Sequence, residues 1–142
     1  MKVMVIVKAT RASEAGEPST AALRAAMDAF NDALRRAGVL IVADGLRTSA
    51  HGVRVQLDHA EPVVTRGPFA PPDQLIAGYW LWQVASLDEA IGWARQCPTP
   101  HVDGGVLEIR PVYEAHEAAE LLARERGVLD GTVSPADANR RP

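Results

Sequence analysis

The sequence predicts an α+β domain in which two strand–helix–strand halves share one sheet and carry their helices on the same side. Three observations lead there. Short apolar runs rich in Val, Ile, Leu and Trp recur at residues 2–8, 39–43, 75–84 and 106–112. Between the first two runs, and again between the last two, lie stretches with helical spacing, residues 19–36 and 86–96. Glycine and proline punctuate the joins at Gly38, Gly45, Pro68, Pro71, Pro72, Pro98, Pro100, Gly104 and Gly105.

The run 2–8 is apolar on both faces and reads as a buried strand. A turn-rich loop follows, containing Ser13, Gly16 and Pro18, and Ser19 is the expected cap of a helix reaching Arg36. On that helix Leu23, Met27, Phe30 and Leu34 recur at core-facing positions, with Ala26 and Ala37 on the same side, and Gly38 is the stop. Residues 39–43 form the second strand, which ends at Asp44-Gly45. Val53, Val55 and Leu57 alternate with Arg54 and Gln56, and a turn at 58–61 leads into Pro62-Val63-Val64-Thr65. This is a hairpin with one wet face, expected at the margin of the sheet.

A stiff connector, Gly67-Pro68-Phe69-Ala70-Pro71-Pro72, precedes the most aromatic strand, 75–84. There Gly78, Trp80 and Trp82 share one face, and Ala77, Tyr79 and Leu81 share the other. Ser86 and Glu89 have the spacing of a capping box for a helix to about Gln96, with Leu87, Ala90, Ile91 and Ala94 facing the core. A last strand, 106–112, and a helix from Glu114 to Arg126 complete residues 1–127, and 128–142 reads as a flexible tail. Helices on one face leave the other face of the sheet bare, yet its strands are apolar on both sides. A second copy related by a two-fold axis is the simplest cover, so a homodimer is expected.

Composition narrows the function. The 142 residues carry a net charge of -3, with arginines scattered apart from the pairs Arg35-Arg36 and Arg140-Arg141. No basic stripe interleaved with aromatics is present, which argues against a nucleic-acid partner. No apolar run approaches the roughly 20 residues that cross a bilayer, so no membrane role is expected. Cys97 is the single cysteine, and no secretory signal is recognisable at the N-terminus, which together lead to a cytoplasmic expectation.

Several ordered blocks carry a resemblance. Thr65-Arg66-Gly67-Pro68-Phe69-Ala70 resembles the DGPF signature of the YCII-related family. It is followed at the expected spacing by Gly78-Tyr79-Trp80-Leu81, by Leu87-Asp88-Glu89-Ala90 and by Gly105-Val106-Leu107-Glu108-Ile109-Arg110-Pro111. Upstream, Ala37-Gly38-Val39-Leu40 and Asp44-Gly45-Leu46 also match. The resemblance runs from about Lys2 to Val112. It implies a ferredoxin-like α+β fold that dimerises face to face, as in dimeric α+β barrels. It also implies a catalytic His on the first helix and an Asp after the second, but those positions fall near Met27 and at Cys97 here. The signature aspartate is replaced by Arg66. A regulatory role beside sigma factors is a second implication of the family.

No pair among His51, His59, His101 and His116, and none with Cys97, has metal-ligand spacing, and no phosphate loop or nucleophile elbow is present. Neither a metal nor a cofactor is expected. The best local constellation is His101-Val102-Asp103, a candidate base with a carboxylate beside it. Glu108 and Arg110 share one strand face and, together with Trp80 and Trp82 or with Tyr79, form the candidate lining of a ligand pocket on the dimer side. Asp44 and Arg66 are candidates for its rim. Plainer readings stand beside these: an ion pair for Glu108 and Arg110, a surface loop for His101, interface core for the aromatics, turn chemistry for Asp44, and an inert thiol for Cys97. Two functions therefore remain open. One is a cofactor-independent enzyme acting on a small organic molecule, and the other is a non-catalytic ligand-binding or regulatory module.

Overall fold

Side chains branched at Cβ fit a pleated strand, and the Val–Ile run near the N-terminus forms the central strand β1 (Lys2–Lys8). Val3, Val5 and Val7 are buried, while Met4, Ile6 and Lys8 are half-buried on the opposite face. The computed structural model describes residues 1–58, 60–132 and 134. β1 pairs antiparallel with β5 (Ile76–Gln83) on one side and β6 (Leu107–Pro111) on the other. β2 (Leu40–Gly45) pairs antiparallel with the far edge of β5, which gives the order β2-β5-β1-β6. The fold is α+β, and this strand order is consistent with a ferredoxin-like arrangement.

Two helices cover the Val3–Val5–Val7 face. The first of them, α2 (Ala21–Arg36), opens on Thr20, whose Oγ1 accepts from the Leu23 N–H at 3.1 Å. The cap is thus Thr20 and not the adjacent Ser19. It closes on Gly38 at φ 71°, where the Val39 N–H donates to the Leu34 carbonyl at 2.9 Å and the Gly38 N–H to Arg35 at 3.0 Å. Leu34 and Val39, which flank this turn, are both buried. Helix α3 (Leu87–Ala94) opens on Ser86, whose Oγ accepts from the Glu89 N–H at 3.2 Å. The Glu89 carboxylate reaches back to the Ala85 N–H at 2.6 Å, one residue earlier than a capping box requires.

The core joins both helices to the sheet. Phe30, Leu34 and Ala90 pack with Val3, Val5, Val7, Trp80 and Trp82 in one cluster. Phe30 stands edge-on to Trp80 and Trp82, with ring centroids 6.1 and 6.3 Å away. The apolar stripes are narrower than expected, because Ala26 on α2, Ala37 just after it, and Leu87 and Ile91 on α3 are exposed. Trp93 instead packs against the core beside Ala94.

Three other segments depart from the sequence reading. Residues expected to loop after β1 form a single-turn helix, α1 (Arg11–Glu14), with a reciprocal cap between Thr10 and Ser13. The hairpin β3 (Val53–Gln56) and β4 (Val63–Arg66) is a two-stranded sheet of its own with every residue of both strands exposed, not the margin of the main sheet. Its base is tied down through the segment that resembles the family signature. The Gly67 N–H donates to the Gly52 carbonyl at 2.9 Å, and the Phe69 N–H to Ser49 Oγ at 2.9 Å. Ser49 in turn gives its N–H (3.1 Å) and Oγ–H (2.5 Å) to the Glu14 carboxylate. A Cβ on Gly67 would lie 1.8 Å from the Ser49 carbonyl oxygen, so only glycine fits there.

The chain divides into a first compact unit, Met1–Pro111, and a second from Val112 onward. The second contains α4 (Ala115–Leu129), which continues past the expected end at Arg126. Most of the expected tail, and His59, lie outside the described residues. No helix among the described residues is long and apolar enough to cross a membrane.

Candidate functional site

Where β5 leaves its pairing with β1, the register slips: Val7 faces Gly78, but Lys8 faces Ile76. Ala77 is the extra residue, and such a bulge bends the strand and opens space beside it. Two cavities of the first unit meet there. The larger, about 210 Å³, has a floor of Val7, Ala43, Gly78 and Trp80 beneath Met27 and Asn31 of α2. Pro100 and His101 close one side, and Asp44, Gly45 and Tyr79 border it. The smaller, about 140 Å³, is polar, with Ser13, Glu14, Glu17, Ser19 and Thr48 in its wall. Ala77 and His101 line both.

A tight backbone fit shapes the floor. A Cβ on Gly78 would lie 2.7 Å from the Asp44 carbonyl oxygen, so the glycine permits β2 and β5 to approach here. On the wall, Asn31 Oδ1 accepts from the Trp80 indole N–H at 2.8 Å, which satisfies the one polar atom of that buried ring. The indole N–H of Trp82, by contrast, has no partner among the described residues.

His101 bonds through Nε2 to the Lys8 carbonyl at 3.2 Å. A carbonyl oxygen only accepts, so Nε2 carries a proton, and no described residue bonds Nδ1. Asp103 is turned to other work. Its carboxylate is held below the ordinary range by a hydrogen bond from the Thr10 side chain and then by the Ala12 N–H, with the charge of His101 the last and least cause. Its Oδ2 accepts from Ala12 at 3.1 Å. Asp103 therefore fastens the loop before β6 to the start of α1.

The remaining candidates are dispersed. Tyr79 donates its phenol to Asp44 Oδ2 at 3.3 Å, a cross-strand pair between β5 and β2. Glu108 and Arg110 pair with each other at 3.2 Å, opposite Ile6 and Met4 of β1, and line neither cavity. Trp80 and Trp82 lie on the helix face, away from Glu108 and Arg110, because Phe30 and Leu34 occupy that side. Trp80 contributes to the cavity floor, whereas Trp82 is wholly inside the core. Arg66 ends β4 opposite Val53, on the hairpin and apart from both cavities.

Met27, Asn31 and Val7 were not among the sequence candidates. Asn31 had a signal: it is polar, four residues beyond Met27, on the stripe that also carries Phe30 and Leu34. Met27 lies in the cavity wall, at the place where the family resemblance implies a histidine. Cys97, where the resemblance implies an aspartate, packs against the core, and burial pushes its thiol up to about 11. Neither position supplies an acid or base near neutral pH. Among the described residues no group of three or more His, Cys, Asp or Glu is arranged to hold a metal ion.

Comparison with known proteins agrees with this fold. Over 52 residues the chain is 38% identical to an uncharacterised protein of Rhizobium meliloti (strain 1021). That match covers 37% of this chain and 42% of the relative, so the chain spans under half of that protein's length. The model of the YCII-related domain matches residues 1–116, which takes in the sheet, both covering helices and the residues of both cavities. The chain belongs to the YCII-related family.

Proposed function

We propose that this YCII-related protein binds a small organic molecule in the cleft beside the β5 bulge, with His101 meeting its polar part. The observation that carries the reading is that His101 lines both cavities while its Nε2 is already held by Lys8. The ring is thereby oriented, with the chemistry of Nδ1 left to a ligand. Together the two spaces reach the lower end of the roughly 300–1,000 Å³ typical of ligand pockets. Apolar floor residues and a few polar groups in the wall match the usual make-up of such sites.

A binding module is the better supported form of this reading, because the carboxylate beside His101 in sequence is engaged by Thr10 and Ala12. A cofactor-independent enzyme, with His101 as sole general base, is the second reading. The side of the ring at Nδ1, which no described residue engages, favours it. Ligand screening by NMR separates these outcomes. Bound molecules are expected to shift the Trp80 indole and His101 ring resonances, and His101→Gln is expected to weaken binding several-fold. Turnover of a bound molecule by the wild type and not by His101→Gln would establish the enzyme. If binders instead perturb Glu108 and Arg110, the pocket lies on the other face and the proposal fails. A homodimer is proposed alongside, formed through the face that carries Met4, Ile6, Tyr79 and Leu81.

A further inference from the structure

Among Lys, Arg, Asp and Glu, only acidic residues line the cleft. Glu14 and Glu17 line the smaller cavity and Asp44 borders the larger, while no Lys or Arg lines either. The nearest basic residues, Lys8, Arg11, Arg24 and Arg47, stand outside both linings, although the Arg24 guanidinium donates to the carbonyl of Ser19 in the polar wall. The carboxylates differ in what they do. Glu14 accepts the N–H and hydroxyl of Ser49 and so holds a fixed negative charge in the wall. Glu17 makes no side-chain hydrogen bond or ion pair among the described residues. The other cavity is the opposite in character, with Val7, Met27, Ala43 and Trp80 around it. The cleft thus has an apolar end and an acidic end, joined at Ala77 and His101.

Resting on the ligand pocket proposed above, we infer that its ligand is an amphipathic amine: an apolar body over Trp80 and Met27, and a cationic nitrogen towards Glu17. An ammonium donates three hydrogen bonds and needs acceptors, which the carboxylates, Ser13, Ser19 and Thr48 supply. A carboxylate or phosphate end would meet like charge with no guanidinium or ammonium in the lining, since Arg24 is turned to the Ser19 carbonyl, and would lose its water with little compensation. Arg110 therefore does not serve as an anchor for an acid substrate here; it answers Glu108 on the same strand.

Three probes of equal length test this: hexylamine, hexanol and hexanoate, titrated at neutral pH and low salt with the Trp80 indole resonance as readout. Hexylamine is expected to bind tightest and hexanoate about tenfold or more weaker, with the gap narrowing as salt screens the wall. Glu17→Gln is expected to bring hexylamine close to hexanol while leaving hexanol unchanged. Hexanoate binding as well as hexylamine overturns the inference, as does a Glu17→Gln variant that keeps the full preference. If none of the three shifts Trp80 or His101, the pocket itself is refuted, not merely its charge preference.

Discussion

Asp103 stands in the loop between α3 and β6 and yet decides how α1 begins, because its carboxylate takes the Thr10 hydroxyl and the Ala12 N–H. Its pKa is lower in the folded chain than in the unfolded one. The stabilisation it provides is therefore complete above the unfolded value, roughly 3.9, and is lost as pH falls through the folded value. Asp103→Asn should be less stable than wild type at pH 7, with the difference closing in strong acid, as urea unfolding at the two pH values would report. A difference that persists unchanged in acid would mean that the charge contributes nothing. The sequence placed Asp103 beside His101 and so suggested a catalytic pair, but adjacency along a loop says nothing about which backbone donors lie within reach. Trp80 and Trp82 were a different case. Alternation along the strand put them on one face, and only the packing of Phe30 showed which face that is.

At the scale of elements, one chemical change made at two glycines should give opposite signs. Gly67→Ala drives a methyl into the Ser49 carbonyl, and the displaced backbone carries the Glu14 and Phe69 bonds with it. A loss of about 3 kcal/mol is expected from the overpacking. Gly92→Ala in α3 meets no atom within 4 Å. It should stabilise the fold by roughly 0.5–1 kcal/mol, since alanine suits a helix interior better than glycine. Thermal melts of the two variants would check the pair. All four main strands and α2 and α3 were legible beforehand, because β-branched runs, helical stripes and the Gly38 stop are local signals. The one-turn helix α1 was not, for its four residues depend on Asp103 and on Glu14 reaching Ser49. The two bulges, at Ile41 and Ala77, were also hidden. A bulge is a mismatch between two strands, and neither strand alone records it. Since the cavities open at Ala77, the true setting of His101 was hidden with it.

For the whole molecule, the face that carries Met4, Ile6 and Leu81 is where the proposed dimer stands or falls. Leu81→Asp should sediment as a folded monomer if wild type sediments as a dimer, because a charge there would be desolvated in the interface. A wild type that is itself monomeric would remove the second copy and leave that face to be covered within the chain. The hairpin of β3 and β4 bears on a different property. Its two strands pair with each other in a sheet separate from the main one, and its base is moored at Ser49, Gly52 and Phe69. Its amides can therefore open to solvent as a local event, while those of β1, bonded on both sides within the main sheet, open only when the domain does. Hydrogen exchange would then read two clocks in one chain: a fast one in the hairpin that ignores the ligand, and a slow one in β1 that lengthens when the cleft is filled.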